Sequence, residues 1–536
     1  MHTQDAQVLI VGGGPAGLAA AIELGMRGIR ALLVERNDRV GYAPRSKTTH
    51  TRTCEHLRRW GIAGKLRASS PLGVEYPSNM VFVTRLDGFK VATFENAMHC
   101  APGRSPLYSE HAQWVPQYVL ERVLHEHAAS FRGVTLRFGT EMISFEQDEG
   151  GVHARFRDVS TGAETEGQYL YLIGCDGAQS RVRKAIRANM RGETGLSRNY
   201  NIIFRAPGLT QANRHGPAVM YWVINDEMPS LLGPLDHEDL WFFMPTYVPR
   251  GLNLQKFDVP DLIRKAIGFD LPIEILSSDE WIAHSLIADR YSSGRVFLSG
   301  DACHLHPPFG GFGMNMAVHD SVDLGWKMAA VLQGWAGARV LDTYEIERKP
   351  VHKLMIDEAV VNHSVTPNQL FRSGIEDDTA VGESIRREIG KRILAVKARE
   401  FDTLGLLLGY RYQNSPSVIP DGSAPPPQHF RDYVPSAHPG CRAPHAWLED
   451  GSSLYDHFGQ GFTLLSAGDA CDNENALTIA AALGVPFKYL PFPSSQIANL
   501  YGARFALVRP DQHVAWRGNE LDHFENVLNQ ICGRSS

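Results

Sequence analysis

A short glycine-rich segment near the N-terminus has the spacing needed to hold a phosphate group. Its pattern G-x-G-x-x-G is made by Gly12, Gly14 and Gly17, with Pro15 and Ala16 between the last two glycines. The apolar run 8–11 before it predicts a strand, and the segment 15–28 after it predicts a helix. In such a turn the first glycine permits the bend, the second lets the backbone approach a pyrophosphate, and the third allows close packing. Because the helix N-terminus faces the phosphate charge, the segment predicts a dinucleotide site.

A carboxylate follows at the end of the next apolar run. Residues 31–34 predict a second strand, and Glu35 and Arg36 come directly after it. In βαβ units a carboxylate at this place accepts hydrogen bonds from an adenosine ribose. Glu35 and the adjacent Arg36 are therefore candidate cofactor-binding residues. The glycine-rich loop alone does not show whether the cofactor is FAD or NAD.

Two later segments repeat the combination of an apolar run and an aspartate. The run 169–173 is followed by Asp176, and the run 295–299 is followed by Asp301. After Asp301 a glycine-rich turn leads into a predicted helix, and its candidate residues are Pro308, Gly311, Gly313, Met314 and Asn315. A reduced flavin carries negative charge near its N1 and C2 carbonyl, and glycine backbone at a helix N-terminus supplies positive potential there. The turn therefore indicates a flavin site.

In their order and their residues, these segments resemble the FAD-dependent class A aromatic hydroxylases, which include phenol, 2,4-dichlorophenol and polyketide-tailoring hydroxylases. The matching stretches are G-D-A-C-H at 300–304, P-P-F-G-G-F-G-M-N at 307–315, D-G at 176–177, P-R-S at 44–46 and L-D-T-Y-E at 341–345. The resemblance implies bound FAD, contacted by Asp301, Asp176, Arg45 and Gln117, with the turn 308–315 against the flavin ring.

The resemblance also implies a reaction. NAD(P)H, with NADPH favoured, reduces FAD, and O2 then gives a flavin C4a-hydroperoxide. One oxygen atom enters a phenolic substrate ortho or para to its hydroxyl group. Two alternatives stay open at this stage. One is a tailoring oxygenase that hydroxylates, epoxidises or performs a Baeyer–Villiger insertion on a polyketide or an antibiotic, and the other is a flavin-binding protein without turnover.

A base or a cation beside the phenol oxygen would assist this reaction, because an ionised phenol is the better nucleophile. Lys47 is the first candidate, since relatives often carry His or Asp in this segment, and its ammonium would stabilise a phenolate or bind a substrate carboxylate. A solvated surface lysine is the alternative interpretation. The further candidates are His50, Tyr221, His215 and, as pocket walls or core residues, Trp222 and Phe243.

The order of apolar runs predicts an α/β chain with several domains. A discontinuous Rossmann-like FAD-binding domain is expected at 1–75, 100–185 and 285–400. An inserted, mainly antiparallel β-sheet substrate domain is expected at 76–99 and 186–284. Prolines crowd the segment 413–445, so 401–445 is predicted to be a linker. The resemblance makes 446–536 a thioredoxin-like α/β domain, and because it lacks Cys-x-x-Cys we expect a packing or homodimer contact there, without dithiol chemistry.

Composition argues against several other classes of function. The net charge is -6, and no basic cluster indicates a nucleic-acid partner. No apolar stretch reaches the ~18 residues of a membrane span, and the N-terminal segment does not resemble a secretory leader. The 7 cysteines have no close pairing, which favours a reduced, cytoplasmic protein without a structural metal site.

Overall fold

The structure is a computed structural model that describes residues 6–38, 46–247, 258–467 and 470–534. The strands of these residues, in chain order, are β1 (Val8–Val11), β2 (Ala31–Glu35), β3 (Thr48–Thr49), β4 (Met80–Val83), β5 (Lys90–Phe94), β6 (Gln113–Trp114), β7 (Val134–Phe138), β8 (Thr140–Gln147), β9 (Val152–Asp158), β10 (Glu164–Tyr169), β11 (Tyr171–Gly174), β12 (Met190–Arg205), β13 (Met220–Val223), β14 (Ser230–Pro234), β15 (Leu240–Pro245), β16 (Glu274–Ala288), β17 (Ser292–Ser293), β18 (Val296–Leu298), β19 (His304–Leu305), β20 (Phe462–Ser466), β21 (Phe487–Pro491), β22 (Phe505–Val508) and β23 (Val514–Gly518).

The helices lie between and around these strands. In chain order they are α1 (Pro15–Gly25), α2 (Thr51–Arg59), α3 (Ala63–Ser69), α4 (Gln117–Ala129), α5 (Arg181–Ala185), α6 (Leu209–Ala212), α7 (Val259–Ile267), α8 (Phe312–Leu332), α9 (Thr343–His363), α10 (Pro367–Leu370), α11 (Ala380–Phe401), α12 (Leu404–Gly409), α13 (Ala470–Ala482), α14 (Ser495–Tyr501) and α15 (Phe524–Ile531). Within the described ranges, none of them combines the length and the apolar character that crossing a membrane requires.

A mostly parallel sheet forms the core of the nucleotide-binding part. Its strand order is β17-β18-β11-β1-β2-β7, and all neighbouring strands are parallel except β17 and β18. Every residue of β1 is buried, as expected for a central strand of a parallel sheet. The sequence predicts a first helix that ends on Gly28 as a capping glycine. Helix α1 ends at Gly25, and Gly28 has a φ of 73° in the turn that follows, where the N–H of Ile29 donates to the carbonyl oxygen of Leu24 at 3.0 Å. This left-handed glycine closes the end of the helix.

The largest sheet has the strand order β19-β16-β12-β15-β14-β13-β4-β5, and its neighbours are antiparallel except β13 and β4. Successive residues of a strand point to opposite faces. Phe82, Trp222 and Phe242 consequently lie on one face, and Tyr221 and Phe243 lie on the other. Helix α7 packs on the second face. Helix α11 belongs to the range that the sequence assigns to the nucleotide-binding part, but it packs on the first face of this sheet.

The C-terminal part has its own small sheet of order β21-β20-β22-β23, in which only β20 and β21 are parallel. The predicted linker before it is proline-rich but well packed. It contains α12, and Tyr410 and Tyr412 in it are buried. This segment therefore contacts the rest of the protein and is not a free tether.

A buried ionic network joins the C-terminal part to α8 and α9. Arg509 donates to Glu347 at 2.6 Å and to Asp323 at 2.9 Å. Lys327 donates to the same two carboxylates, at 2.6 Å to Glu347 and 2.7 Å to Asp323. Because buried charges are tolerated only when they are paired, this network holds the two parts in one arrangement.

Candidate active site

The loop between β1 and α1 is shaped by its first and third glycines. Gly12 has a φ of 113°, and a Cβ atom there would lie 2.2 Å from the carbonyl oxygen of Cys175. A Cβ atom on Gly17 would lie 1.9 Å from the carbonyl oxygen of Gly12. Nothing lies within 4 Å of the corresponding point on Gly14. The first and third glycines thus satisfy contacts inside the protein, and the second faces open space at the N-terminus of α1.

Glu35 holds this loop from the neighbouring strand. Its Oε2 atom accepts the backbone N–H of Gly13 at 2.8 Å, and its Oε1 atom accepts the N–H of Asn37 at 2.9 Å. A carboxylate has about four lone-pair sites, so acceptor capacity remains for a ribose. Pro15 and Ala16 form the first turn of α1, and the neighbouring Arg36 is exposed.

The second glycine-rich turn leads into α8 through two left-handed residues. Gly310 has a φ of 88°, and Gly311, the residue before the first helical turn, has a φ of 66°. A Cβ atom on Gly313 would meet nothing nearer than 3.9 Å. The first N–H groups of a helix have no partner within the helix. The backbone around Gly313 and Met314 therefore offers donors and positive potential to a ligand.

Asn315 connects this turn to the segment that carries two of the catalytic candidates. Its Oδ1 atom accepts the N–H of His50 at 2.8 Å and the hydroxyl of Thr53 at 2.7 Å. Its Nδ2 atom donates to the carbonyl oxygens of Thr48 at 3.0 Å and Gly311 at 2.8 Å. The side chain is fully buried and both amide atoms are in use. Asn315 therefore positions the loop through its side chain, and only its backbone remains to meet a flavin.

Two other predicted cofactor residues also have partners within the protein. The Asp176 carboxylate accepts the N–H of Arg181 at 2.7 Å and of Val182 at 3.1 Å, and so stabilises the start of α5. Gln117 accepts the N–H of Ser46 at 3.2 Å. These contacts show how the motif side chains fix the shapes of the loops.

Two of the remaining predicted cofactor residues lie between β18 and α8. Asp301 is exposed in the turn after β18, and Pro308 precedes the glycine turn. Arg45 lies outside the described residues.

The stretch L-D-T-Y-E-x-E-R at 341–348 stabilises the turn at Gly300 through contacts with Asp320. Arg348 donates to Asp320 at 2.9 Å, and Asp320 accepts the N–H of Gly300 at 3.1 Å. His304 and His352 also contact Asp320, at 2.8 Å and 2.7 Å. Burial alone would raise the pKa of the Asp320 carboxyl group, but the interactions with His352, His304 and Arg348 hold it well below its usual range. Cys303 lies near His304 and Asp320. The Arg348 guanidinium already supplies Asp320 with the positive charge that a metal ion would bring.

Lys47 lies between the glycine-rich turn 307–315, which we call the flavin loop, and the large sheet. It is only 7% exposed, and its Nζ atom lies 4.0 Å from the ring centre of Phe242. Its carbonyl oxygen accepts the N–H of Val115 at 2.8 Å, next to the β3–β6 pair. Burial lowers the pKa of the Lys47 ammonium group to about 8. The interpretation as a solvated surface lysine is therefore wrong for this residue.

His50 lies on the other side of β3, against the flavin loop. A Cβ atom added to Gly311 would lie 3.3 Å from the Nε2 atom of His50. The His50 ring contacts the Phe312 ring edge-on. Burial lowers the pKa of the His50 imidazole to about 4. His50 is therefore neutral at physiological pH.

The candidates from the large sheet are divided between its two faces. Tyr221 lies on the face away from Lys47, where its hydroxyl group bonds to the carbonyl oxygen of Gly216 and to Asn213. Phe243 lies on the same far face, and His215 bonds to a backbone carbonyl oxygen at 3.0 Å. Of this set, only Trp222 shares a face with Phe242.

Sequence reasoning missed a charged pair on α11. Lys397 is 1% exposed, and its Nζ atom lies 4.2 Å from the ring centre of Trp222 and 2.7 Å from Glu400. Glu400 accepts a hydrogen bond from the Gly310 backbone, and Phe309 packs against Trp222 with ring centres 6.1 Å apart. In the sequence, Lys397 and Glu400 form an ordinary i, i+3 pair, so only the packing of α11 shows that they lie inside.

These loops together describe a dinucleotide site that faces an aromatic sheet surface, and comparison with known families identifies its class. The model of an FAD binding domain matches residues 5–359, and the model of the C-terminal part of aromatic-ring hydroxylases matches residues 436–535. The chain belongs to the FAD-dependent class A aromatic hydroxylases.

Relatives match along the whole chain. Tetracenomycin B2 monooxygenase-dioxygenase of Streptomyces olivaceus is 33% identical, over 100% of this chain and 99% of that protein. The 2,4-dichlorophenol 6-monooxygenase of Delftia acidovorans is 32% identical, over 96% of this chain and 95% of the relative. The solved structure of chromopyrrolic acid-soaked RebC with bound 7-carboxy-K252c has a TM-score of 0.91 and 35% identity, and 99% of each chain is covered.

The site fits FAD on its own geometry. Gly14 faces open space at a helix N-terminus, where a pyrophosphate meets N–H groups and positive potential. Glu35 keeps acceptor capacity for a ribose, and the turn at Gly311 presents backbone donors. A flavin held between these loops would face the sheet surface that bears Phe242 and Trp222.

Proposed function

We propose that this enzyme uses NAD(P)H and O2 to hydroxylate a phenolic substrate ortho or para to its hydroxyl group, with NADPH preferred over NADH. The observation that carries the proposal is the position of Lys47. Lys47 precedes Thr48, whose carbonyl oxygen accepts a hydrogen bond from Asn315 of the flavin loop. Its ammonium group lies over Phe242 on the aromatic face of the sheet. A phenol between the two surfaces would have an amine near its oxygen and aromatic rings around its carbon skeleton.

Bound FAD supplies the reducing equivalents of NAD(P)H and the activation of O2, which side chains alone do not provide. We assign the backbone of Gly14, Pro15, Ala16 and Gly17 to the pyrophosphate, and Glu35 with Arg36 to the adenosine end. We assign Asp301 to the ribityl chain and the backbone from Pro308 to Asn315 to the flavin ring. Asp176 and Gln117 shape these loops. Arg45 lies outside the described residues, and only the sequence resemblance makes it a candidate for the pyrophosphate. The mostly parallel sheet and the open cradle at Gly14 support this arrangement.

We assign the contact with the substrate oxygen to Lys47. A group that holds or takes a proton in the reaction is most effective when its pKa is near the working pH. The pKa of Lys47 is about 8, whereas the pKa of His50 is about 4, which makes His50 a poor base at neutral pH. We therefore assign His50 to the support of the Gly311 turn. Tyr221 faces the other side of the sheet, and we assign it a structural role.

The aromatic rings near Lys47 have a second task. Phe82, Trp222, Phe242 and Phe309 make an apolar wall on the near face of the sheet. Such a wall excludes water and limits side reactions of activated oxygen. It also supplies flat contact area for a ring system.

The C-terminal part is proposed to be thioredoxin-like. Its strand order β21-β20-β22-β23, with one parallel pair and one antiparallel hairpin, supports this assignment. Its role is to pack against α8 and α9 through Arg509.

The function is tested with the purified, FAD-loaded protein. NADPH and NADH oxidation, oxygen uptake and product mass are measured with a panel of monocyclic and polycyclic phenols under labelled O2. The expected result is a phenol-dependent rate and a product that gains one labelled oxygen atom. Absence of stimulation by every phenol, in protein that retains FAD, would overturn the proposal.

A second candidate function is the tailoring of a polyketide or an antibiotic. It is favoured by the full-length match to the tetracenomycin B2 enzyme. The same panel separates the two candidates, because this function requires the polycyclic phenols to be turned over and the monocyclic ones to be left unchanged.

A further inference from the structure

Two buried lysines reach the same face of the large sheet. Lys47 lies over the ring of Phe242 at 4.0 Å, and Lys397 lies over the ring of Trp222 at 4.2 Å. Both side chains are almost completely buried, and both aromatic rings belong to one apolar cluster. The two ammonium groups therefore share a surface and a degree of burial.

The two lysines differ in their partners. Lys397 donates to the carboxylate of Glu400 at 2.7 Å and to the carbonyl oxygen of Asn362 at 3.2 Å. Among the described residues, no carboxylate, carbonyl or hydroxyl oxygen accepts a hydrogen bond from the Lys47 ammonium. Burial is the one influence acting on its pKa, whereas Glu400 also acts on that of Lys397.

An unpaired ammonium inside a protein is unfavourable, because it loses water and gains no counter-charge. The face of Phe242 attracts the charge, but it does not replace the acceptors for three N–H donors. Its acceptors must therefore come from outside the described residues. An anionic oxygen is the partner that would supply both the counter-charge and the hydrogen-bond acceptors.

We infer that Lys47 is the receptor for an anionic oxygen of the substrate. The substrates of this enzyme are then aromatic compounds that bring a carboxylate, or a phenol acidic enough to be ionised at the working pH. The inference rests on the proposed function and names its substrate class. Because Asn315 binds the carbonyl of Thr48 and the N–H of His50, an anion on Lys47 lies next to the flavin loop.

Binding to the FAD-loaded protein at pH 7 tests this inference. The probes are two pairs of similar shape: 1-hydroxy-2-naphthoate with 1-hydroxy-2-naphthamide, and pentafluorophenol with phenol. The dissociation constant is read from the change in the flavin absorption spectrum. We expect the anionic member of at least one pair to bind tenfold or more tightly than its neutral partner, as charge-assisted hydrogen bonds require. Preference in the first pair assigns the anion to a carboxylate, and preference in the second assigns it to a phenolate.

Variants separate the charge of Lys47 from its bulk. Lys47→Met is expected to remove the preference, and Lys47→Arg is expected to keep most of it. Lys391→Met, on the exposed side of α11, is the matched control and should leave the preference unchanged. Equal binding of both members of both pairs by the wild type, or an unchanged preference in Lys47→Met, would overturn the inference.

Turnover distinguishes this failure from failure of the proposed function. If neutral and anionic phenols are hydroxylated equally well, the function holds and the inference is wrong. If no phenol of either kind stimulates NAD(P)H oxidation, the proposed function is wrong, whatever the binding preference.

Discussion

The predicted cofactor residues on the flavin side and Lys47 on the sheet side differ in how their polar groups are satisfied. On the flavin side, Glu35, Asp176 and Asn315 all bond to protein groups. On the sheet side, Lys47 has only an aromatic ring beneath its charge. The loops of the flavin side are therefore preorganised before a ligand arrives. The sheet side retains a charge that, by our inference, the substrate neutralises.

This difference indicates which atoms meet each ligand. On the flavin side the motif side chains mostly bind backbone groups of neighbouring loops, so we propose that the cofactor meets backbone N–H groups and the open space at Gly14. On the sheet side we propose that the substrate meets the Lys47 side chain directly. Cofactor binding should consequently depend on loop shape, and substrate binding should depend on charge.

The largest effect is expected from the glycine that shapes the first loop. In Gly17→Ala the new Cβ atom would lie 1.9 Å from the carbonyl oxygen of Gly12 and 3.3 Å from Ile10. The loop must move, and we expect loss of FAD retention with a destabilisation above ~4 kcal/mol. Flavin content after purification and the midpoint of urea unfolding measure both effects.

Gly14→Ala is the matched control, since no atom lies within 4 Å of the new Cβ atom and the φ of Gly14 is -77°. Its stability should stay near the wild-type value, while its FAD dissociation constant should rise by about tenfold or more, because the methyl group enters the space of the pyrophosphate. An unchanged FAD affinity in Gly14→Ala would show that the cofactor does not approach this residue.

A smaller effect is expected at the contact between the C-terminal part and α8. In Arg509→Met the carboxylates of Glu347 and Asp323 would keep Lys327 as their cationic partner, and Asp511 would lose its guanidinium partner. Removal of one partner from a buried network costs about 3–5 kcal/mol. The unfolding midpoint in urea should fall accordingly, with flavin still bound well below that midpoint.

The control is Arg155→Met, in an exposed pair with Glu164 at 2.8 Å. Exposed pairs contribute about 0–1 kcal/mol, so its midpoint should barely move. If Arg509→Met behaves in the same way, the flavin side does not depend on the C-terminal part for its stability.

The two sides also differ in how far the sequence predicts them. The glycine turns are local: a positive φ at Gly12 or a close approach at Gly17 depends on a few neighbouring residues, so the pattern identifies them. The contacts of Asn315 with Thr48 and His50 join parts of the chain that are far apart, and no local pattern shows them.

The sheet side is harder to predict, because it depends on register and burial. Tyr221 and Trp222 are neighbours in the sequence, but strand geometry places them on opposite faces, and the pattern of residues does not say which face meets the flavin. The Lys47 ammonium lies against Phe242, which comes from a distant strand, so its burial depends on contacts between distant parts of the chain. Its unpaired state is a property of the assembled fold.

The smallest and most specific effect is the pH dependence of stability caused by Lys47. Burial lowers its pKa from 10.5 to about 8, so the unfolded chain binds more protons than the folded protein between these values. Stability therefore rises as pH increases from about 8 to 10.5, and below pH 8 the full penalty of the buried ammonium remains. A shift of this size corresponds to roughly 3 kcal/mol. Lys47→Met should be more stable than the wild type at pH 7 by up to this amount, and the difference should shrink towards pH 10.

Urea unfolding of both proteins at several pH values measures this difference in stability. Titratable groups that both proteins share contribute equally to the two stabilities and cancel in the difference. A difference that does not change with pH would mean that the ammonium is solvated or paired in the folded protein, and the contrast between the two sides would disappear. Addition of an anionic aromatic ligand sharpens the test. A bound anion favours the charged amine and raises its pKa, so the wild type should then lose its excess pH dependence, while Lys47→Met should not respond.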